Sequence, residues 1–334
     1  MKQKILVTGA CGFIGSHLDE SLAKNKNNKV TALCFYNSSN SIGNMKYIPK
    51  KVLKKINIIF GDIRGNDLIL NITKNQDIVI HLAALISIPF SYLSPKAYVD
   101  TNVKGTLNIL EACKINRIKK LIVTSTSEVY GSAKYVPIDE KHPLNAQSPY
   151  AASKIAADQL ALSYYRSFDL PVIIARPFNT FGPRQSNRAI IPTLINQMNY
   201  NRKLIKVGNI STIRDFTYIE DTINGFLNLL NAKNVNGEVI NIASGLEIKI
   251  SNLIKIIQDI NRIKYLKIIT DKKRIRPNKS EVLRLLGSNL KMKKKSKWRP
   301  KFYNRKKFIS AIKNTSEWFK ENYHLNENVN RYDI

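Results

Sequence analysis

The sequence of 334 residues has few cysteines, few acidic side chains and no long apolar run. Its three cysteines, Cys11, Cys34 and Cys113, are odd in number and widely spaced, which excludes a disulfide-stapled miniprotein and is typical of a reduced compartment. No segment reaches the roughly 18 consecutive apolar residues of a membrane span. The apolar run Ile5–Val7 is too short for a secretory signal. We therefore expect a cytoplasmic protein.

Acidic residues are outnumbered, with 24 Asp and Glu against 54 Lys and Arg, and the net charge is +30. Such an excess suggests nucleic acid as a partner, because a basic surface attracts phosphate whatever its sequence. The basic residues are spread along the chain, however, and only Asp271–Arg276 and Lys291–Lys297 are tight clusters. We expect neither a nucleic-acid nor a membrane partner. No metal site is expected from the four scattered histidines, His17, His81, His142 and His324.

Short apolar runs rich in β-branched residues alternate with segments of helical periodicity in the first half of the chain. The predicted strands are Lys4–Thr8, Lys29–Phe35, Ile56–Phe60, Asp77–Leu82, Lys119–Ser125 and Pro171–Ala175. The predicted helices are Phe13–Leu22, Asn102–Lys114 and Ala151–Phe168. This alternation predicts parallel βαβ units, and hence an α/β fold with a Rossmann-type doubly wound parallel sheet.

Three glycines, Gly9, Gly12 and Gly15, follow the first predicted strand and open the first predicted helix. Glycine lets the backbone turn tightly and approach a pyrophosphate, which the amides at the helix N-terminus then stabilise. This placement predicts a dinucleotide site. Its loop residues are Gly9, Cys11, Gly12, Phe13, Ile14 and Gly15.

The second predicted strand ends without the carboxylate that normally binds the adenosine ribose. Cys34 stands there, followed by Phe35, Tyr36 and Asn37. Because neither an acid nor an arginine is present, the choice between NAD and NADP stays open. Asp62, after the third strand, is a candidate for contact with the adenine edge, although an aspartate at a strand end is also a common turn former.

The chain is therefore expected to divide into two domains. Residues 1–176 form the predicted NAD(P)-binding Rossmann domain, with return segments near 215–245. Beyond Arg176 the pattern loosens into loops and shorter helices, which predicts a smaller, partly discontinuous α/β substrate-binding domain over 177–334. Both sizes are typical of single domains.

Tyr150 and Lys154 lie four residues apart at the start of a helical run, so they share one face of the helix. A nearby ammonium favours the phenolate, which can accept the proton of a sugar hydroxyl. The same spacing also occurs in surface pairs. The position of this pair after the fifth strand of a dinucleotide-binding chain favours the catalytic interpretation.

With these features the chain resembles an extended short-chain dehydrogenase/reductase of the NAD(P)-dependent sugar-nucleotide epimerase and dehydratase family. The resemblance covers nearly the whole chain. It rests on Gly9–Gly15, His81–Ala84, Asn102–Thr106, Tyr150 with Lys154, Arg176–Pro183, Arg214–Phe216 with Glu220 and Asp221, and Arg276 with Pro277.

The resemblance implies further cofactor contacts from Ile63, Leu82, Ala83 and Ala84, with His81 supporting the loop under the cofactor. It implies that NAD or NADP is tightly bound and recycled. It also implies a homodimer formed through a four-helix bundle, for which Asn102–Lys114 and Ala151–Phe168 are the candidate helices.

The triplet Thr126, Ser127 and Glu128 follows the fifth strand and resembles that of GDP-mannose 4,6-dehydratases. C4 oxidation alone does not need a second acid/base group, and simple 4-epimerases carry small residues where Glu128 stands. Once C4 is a ketone the C5 proton is acidic, and Glu128 is expected to remove it before the C6 hydroxyl leaves as water. Thr126 is expected to hydrogen-bond the C4 oxygen, and Lys154 to bind the nicotinamide ribose.

Two points about this triplet stay open. The dTDP-glucose dehydratases have Asp where Ser127 stands, so the acid that assists water loss is not assigned. UDP-glucuronate decarboxylases carry the same triplet, so the triplet alone does not fix the reaction.

Three later segments, Arg176–Pro192, Gly208–Asp215 and Ser280–Leu285, are most similar to the GDP-N-acetylglucosamine 4,6-dehydratases of legionaminic acid biosynthesis. This resemblance implies that substrate and a role in cell-surface polysaccharide biosynthesis. It also implies that the diphosphate and nucleoside are faced by Asn179, Arg214 and Arg276, with help from Arg184 or Arg188, and we expect Arg176 to face the nucleotide as well. Guanidinium groups suit this task because they bind phosphate oxygens bidentately.

Two other interpretations remain. An NDP-sugar 4-epimerase or a UDP-glucuronate decarboxylase would use the same scaffold and begin with the same C4 oxidation. A non-catalytic nucleotide- or nucleic-acid-binding protein would keep the fold and use the basic surface, but the intact Tyr150 and Lys154 pair argues against it.

Overall fold

The strands and helices below belong to a computed structural model that describes residues 2–322. The strands are β1 (Gln3–Thr8), β2 (Asn28–Phe35), β3 (Ile56–Gly61), β4 (Ile78–His81), β5 (Lys120–Thr124), β6 (Val172–Pro177), β7 (Asn179–Phe181), β8 (Leu204–Val207), β9 (Ile213–Tyr218), β10 (Val239–Ile242), β11 (Glu247–Lys249) and β12 (Lys267–Thr270). The α-helices are α1 (Phe13–Lys24), α2 (Lys50–Leu53), α3 (Asn66–Thr73), α4 (Ile88–Leu93), α5 (Pro95–Tyr98), α6 (Gly105–Ile115), α7 (Pro149–Phe168), α8 (Ile190–Tyr200), α9 (Ile219–Asn231), α10 (Ile250–Ile260), α11 (Leu290–Lys295) and α12 (Arg305–Glu321).

Seven parallel strands form the central sheet in the order β3-β2-β1-β4-β5-β6-β10. This is the predicted Rossmann-type doubly wound sheet, and the six strands read from the sequence are confirmed to within a few residues at their ends. The seventh strand, Val239–Ile242, pairs with β6 and was not among the predicted strands. The strand order reverses between β1 and β4, where open α/β sheets bind their ligands.

The central strands are apolar throughout because helices cover both faces of the sheet. Ile5, Leu6 and Val7 of β1 are fully buried although they point to alternate faces. One face packs against α1 and α9, and the other against α3, α6 and α7.

The predicted helix Asn102–Lys114 differs in the structure. Residues Val99–Lys104 form a π-type turn, and the regular helix α6 begins only at Gly105. The wider turn places the Asn102 amide so that it accepts from the Leu85 amide at 2.8 Å, and donates to the Leu85 carbonyl at 2.9 Å and to Ser153 Oγ at 2.9 Å. Such insertions are frequent at functional sites.

The later part of the chain adds a three-stranded sheet of order β11-β9-β7 and the parallel pair β8 and β12. Asp215 of β9 is buried and accepts hydrogen bonds from the backbone amides of Ser244, Gly245 and Gly287. These bonds fix β9 against the loops around it and so fix its neighbour Arg214. No helix within residues 2–322 is long and apolar enough to cross a membrane.

The Lys120 side chain caps the C-terminal end of α9. Its ammonium donates to the carbonyls of Leu229, Leu230 and Ala232 at 3.2, 2.7 and 2.9 Å. The Leu229 carbonyl also accepts the Ala232 amide at 3.3 Å, whereas the Leu230 and Ala232 carbonyls have no later turn of helix to bond. A cation there also complements the helix dipole.

We expect Lys120→Met, which keeps the aliphatic stem, to lower the free energy of unfolding by about 1–3 kcal/mol, since the carbonyls lose a charged donor. Lys119→Met is the matched control, because Lys119 is 77% exposed and pairs only with Asp77 in the described chain. Its loss should cost less than about 1 kcal/mol. Urea unfolding of both variants measures the difference, and equal losses would contradict the capping role.

Candidate active site

A cavity of about 1480 Å³ is lined by residues that end or follow the central strands together with residues of the later segments. It exceeds the roughly 300–1,000 Å³ of a site for one small ligand, so it has room for two ligands. Apart from Arg176 and the supporting residue His81, the site residues proposed from the sequence line it: Gly9, Cys11, Gly12, Phe13, Ile14, Gly15, Asp62, Ile63, Leu82, Ala83, Ala84, Thr126, Ser127, Glu128, Tyr150, Lys154, Asn179, Arg184, Arg188, Arg214 and Arg276.

The glycine loop leaves no room for side chains where it turns. Gly9 has φ +69°, and a Cβ on it would lie 2.7 Å from the Ala83 nitrogen. A Cβ on Gly15 would lie 2.3 Å from the Gly9 carbonyl oxygen. The loop therefore packs tightly against the β4 end and against the first turn of α1, which leaves its backbone facing the cavity.

His81 supports this loop from below. One ring nitrogen lies 2.8 Å from Thr8 Oγ1 and the other 3.1 Å from Thr106 Oγ1, and Thr8 Oγ1 accepts the Ala83 amide at 3.2 Å. Burial, and then the charge of Lys154, lowers the pKa of His81 to about 3, so the ring is neutral. The contacts are those expected of a supporting residue.

The far end of the cavity contains Asp62, whose carboxylate pairs with Arg64 at 2.5 Å. The hydrogen bond from Arg64 lowers the pKa of Asp62, so the group is ionised. Cys34 is fully buried, whereas Phe35 lines the cavity and is 61% exposed. Asn44, Lys46 and Tyr47 also line the cavity, from a 3-10 turn that no sequence pattern indicates.

Tyr150 and Lys154 lie at the start of α7, whose first turn is capped by Ser148 accepting the Ala151 amide at 3.1 Å. The Tyr150 hydroxyl hydrogen-bonds Thr126, and the Lys154 ammonium donates to the Thr124 carbonyl at 2.7 Å. The sequence suggested that the ammonium makes Tyr150 more acidic. In this structure burial dominates and raises the pKa of Tyr150 above its usual range.

Glu128 lies in the 3-10 turn Ser127–Tyr130, directly after Thr126. Its carboxylate is nearly buried and lies 3.8 Å from Nη1 of Arg276. Glu128 also interacts electrostatically with Tyr150 and Arg214. A carboxylate, a phenol and two guanidinium groups therefore share this part of the cavity.

Some of the predicted substrate-binding residues have buried polar atoms without a hydrogen-bond partner. Within residues 2–322, Asn179 Oδ1 and Arg276 Nη1 are buried without a hydrogen bond. Arg214 Nη2 lies 3.5 Å from a Glu281 oxygen, and burial lowers the pKa of Arg214. Because buried polar groups normally have partners, these atoms are suited to a polar ligand.

The remaining arginines differ from one another. Arg184 lines the cavity, but its guanidinium donates to Glu20 at 2.6 Å and to the Tyr47 carbonyl at 3.2 Å. Arg188 lines the cavity and is exposed. Lys206 and Arg274 also line it, and neither had been proposed from the sequence.

The expectation that Arg176 faces the nucleotide is wrong. Arg176 is 2% exposed and donates to Asp158 Oδ2 through Nε at 3.2 Å and Nη2 at 2.8 Å. Its Nη1 donates to the Tyr130 hydroxyl at 3.0 Å, and Ser125 Oγ donates to the same Asp158 oxygen at 2.7 Å. Its strand position points it into the protein interior, where the carboxylate of α7 holds it.

The basic clusters are partly explained by the same structure. Lys291 and Lys295 pair with Glu238 at 2.7 and 2.6 Å, and Arg274 pairs with Asp271 at 3.2 Å. Within residues 2–322 no three His, Cys, Asp or Glu side chains are grouped as metal ligands would be. His324 lies outside the described residues.

The family profile described as GDP-mannose 4,6 dehydratase matches residues 6–309. A dTDP-D-glucose 4,6-dehydratase of Homo sapiens is 32% identical over 98% of this chain and 93% of its own length. One of Dictyostelium discoideum is 40% identical over 75% of this chain, and the match spans 60% of its own length.

Solved structures with this architecture include both dehydratases and epimerases. The UDP-glucuronic acid 4-epimerase of Bacillus cereus, in complex with UDP-glucuronic acid and NAD, has a TM-score of 0.87 and 30% identity, covering 96% of this chain and all of that one. A dTDP-glucose 4,6-dehydratase of Streptomyces venezuelae with NAD bound has a TM-score of 0.84 and 26% identity, covering 98% of this chain and all of that one.

The buried pair of Asp158 and Arg176 provides a stability prediction. Asp158→Ala should lower the free energy of unfolding by about 3–5 kcal/mol, because it leaves a buried guanidinium without its counter-charge. Glu247→Ala is the control, since Glu247 and Arg284 form an exposed pair at 2.8 Å whose loss should cost less than about 1 kcal/mol. Denaturant unfolding distinguishes the two, and a cost for Asp158→Ala as small as the control would contradict the inferred importance of the pair.

Proposed function

This chain belongs to the extended short-chain dehydrogenase/reductase family of sugar-nucleotide dehydratases and epimerases, and on that premise we propose that it is a sugar-nucleotide 4,6-dehydratase. The proposed reaction oxidises C4, removes the C5 proton, eliminates the C6 hydroxyl as water and returns the hydride to C6. No net oxidation results, and the enzyme is a lyase.

The observation that carries this proposal is the position of Glu128. Its carboxylate lines the same cavity as Tyr150 and is close enough to affect the phenol electrostatically. A 4-epimerase needs one acid/base residue at C4. A second carboxylate beside it supplies the base that elimination across C5 and C6 requires.

The cofactor proposed for the glycine-loop end of the cavity is NAD, as in the solved relatives. The loop fits this group, because Gly9 and Gly15 leave no space for a Cβ and so bring the backbone close to a pyrophosphate. When bound, NAD supplies the hydride acceptor at C4 and the hydride donor at C6.

In the proposed reaction the protein side chains transfer the protons. Tyr150 accepts the C4 hydroxyl proton, and Thr126, which hydrogen-bonds Tyr150, orients the C4 oxygen. Lys154, which donates to the Thr124 carbonyl, is proposed to bind the nicotinamide ribose and to favour the phenolate against the opposite effect of burial. Glu128 removes the C5 proton, and Ser127 is placed next to it in the same turn.

The proposed substrate is GDP-N-acetylglucosamine or a related NDP-hexose, used in cell-surface polysaccharide biosynthesis. Support comes from the family described as GDP-mannose 4,6 dehydratase and from the polar wall formed by Asn179, Arg214 and Arg276. A diphosphate would take the place of the carboxylates that now face these guanidinium groups, Glu281 for Arg214 and Glu128 for Arg276. Arg184 and Arg188 are further candidates at this wall.

A second candidate is an NDP-sugar 4-epimerase or UDP-glucuronate decarboxylase. The observation that favours it is the close structural likeness to an epimerase that binds UDP-glucuronic acid. Both reactions share the C4 oxidation in which Tyr150 is the base, so product analysis is needed to separate them.

A homodimer is also proposed. Val99 in the turn before α6, Ile115 at the end of α6 and Phe168 at the end of α7 are exposed apolar side chains, and the four-helix bundle expected from the resemblance would cover them. The cytoplasmic location inferred from the sequence remains a prediction of the same kind.

Product mass decides among the reactions. We expect the purified protein, incubated separately with GDP-N-acetylglucosamine, GDP-mannose, UDP-N-acetylglucosamine and UDP-glucuronate, to give a product lacking one water from a GDP-sugar. Glu128→Gln should suppress water loss while leaving C4 oxidation detectable as reduced nicotinamide, and Tyr150→Phe should lose both. An isobaric product would indicate the epimerase and loss of carbon dioxide the decarboxylase. No turnover, with DNA affinity that falls steeply with salt, would favour the non-catalytic alternative.

Gly15→Ala tests the cofactor site independently of the substrate. Its Cβ would clash with the Gly9 carbonyl, so we expect the purified variant to lose NAD, measured by calorimetric titration. Gly65→Ala is the matched control, since its Cβ would meet neighbours at no less than 3.4 Å. Retention of NAD by Gly15→Ala would argue against the loop as its binding site.

A further inference from the structure

Two of the three cysteines meet beside the glycine loop. The Ala10 amide donates to the Leu33 carbonyl at 3.3 Å, which joins the start of the loop to the end of β2. The next residues are Cys11 and Cys34, whose side chains interact and pack in the same apolar cluster. The Cys34 thiol donates to Met45 Sδ at 3.4 Å, and the neighbouring Asn44 amide donates to the Cys11 carbonyl at 3.0 Å.

The two thiols differ in their access to solvent. Cys11 is partly exposed and lines the cavity, so a small reagent can reach it. Cys34 is fully buried directly behind it. This is the arrangement of an attacking thiol with a resolving partner.

A buried carboxyl group completes the cluster. Asp19 of α1 is fully buried, and within residues 2–322 neither of its oxygens has a hydrogen-bond partner. Burial, and then the charge of Cys11, raises the pKa of Asp19 well above its usual range, which favours the neutral carboxyl beside a Cys11 thiolate.

The surroundings of Cys11 favour its reactive form. The interaction with Cys34, which outweighs the opposite effect of burial, lowers the pKa of Cys11 to about 6. The same thiol contact, with burial, raises the pKa of Cys34 above its usual range. Since the thiolate is the nucleophile, Cys11 reacts first.

We propose that Cys11 and Cys34 are an oxidation site that closes to a disulfide under hydrogen peroxide. The Cys11 thiolate attacks one peroxide oxygen, the O–O bond breaks, and hydroxide leaves, giving a sulfenic acid on Cys11. The Cys34 sulfur then attacks the Cys11 sulfur, and the sulfenic hydroxyl departs as water with the Cys34 proton. Two thiols are oxidised by two electrons and one peroxide is reduced.

The disulfide would disturb nucleotide binding because Cys11 belongs to the loop itself. A covalent bond to β2 would pull Cys11 toward the strand. The loop cannot easily shift in response, because its backbone is tightly packed at Gly9 and Gly15. NAD in the cavity would in turn cover Cys11 and slow the reaction. This consequence for NAD rests on the proposed function, whereas the bond itself does not.

The test treats the whole, NAD-free protein with hydrogen peroxide and compares it with untreated protein. We expect free thiols to fall from three to one per chain, and peptide mass spectrometry to find Cys11 joined to Cys34. Dithiothreitol should restore all three thiols, and NAD added before peroxide should preserve them. Calorimetric titration should show that the oxidised protein has lost NAD binding and that reduction restores it.

Two variants complete the design, each compared with its own reduced form. Cys34→Ser should form no disulfide and accumulate over-oxidised Cys11, while Cys113→Ser, at a buried site apart from the pair, should close the disulfide as the natural chain does. Oxidation confined to Cys11 in the natural chain would overturn the pairing. A disulfide that leaves NAD binding unchanged would overturn its effect on the cofactor site, and failure of reduced protein to bind NAD would count against the proposed function instead.

Discussion

The buried ion pair of Asp158 and Arg176 is the interaction on which the catalytic geometry depends. Asp158 lies one turn beyond Lys154 on α7 and accepts from Ser125, while Arg176 on β6 donates to Tyr130. Ser125 and Tyr130 bracket the turn that carries Thr126 and Glu128. The pair therefore joins the helix that carries Tyr150, the proposed proton acceptor, to the turn that carries Glu128. Breaking a buried ion pair costs several kcal/mol of free energy, so this pair holds the helix and the turn in a fixed relative position.

Most of the central fold is readable from the sequence because a sheet covered on both faces needs continuous apolar strands, and these stand out between polar turns. The glycine loop and the spacing of Tyr150 and Lys154 are likewise local signals. Arg176 shows the limit of such reasoning. Its neighbours match a substrate-binding motif, but whether a strand residue faces a cavity or a carboxylate on another helix is decided by tertiary packing.

The same limit explains the other differences. The π-type turn before α6 forms because Asn102 bonds to Leu85 and Ser153, which are distant in sequence. The cavity wall from Asn44 to Tyr47 comes from a short irregular turn without periodicity. Lys206 and Arg274 reach the cavity only through the folding of the later segments. Patterns along the chain locate elements well, whereas contacts between elements require the structure.

The cavity has two kinds of wall, and their separation along the chain has an evolutionary consequence. Thr126, Glu128, Tyr150 and Lys154 are supplied by segments around β5 and α7, before residue 155, whereas the polar wall of Asn179, Arg214 and Arg276 comes from later segments. Mutations in the later segments can therefore change the proposed recognition wall without moving the residues proposed to transfer protons. In such a chain, recognition and reactivity can diverge at different rates.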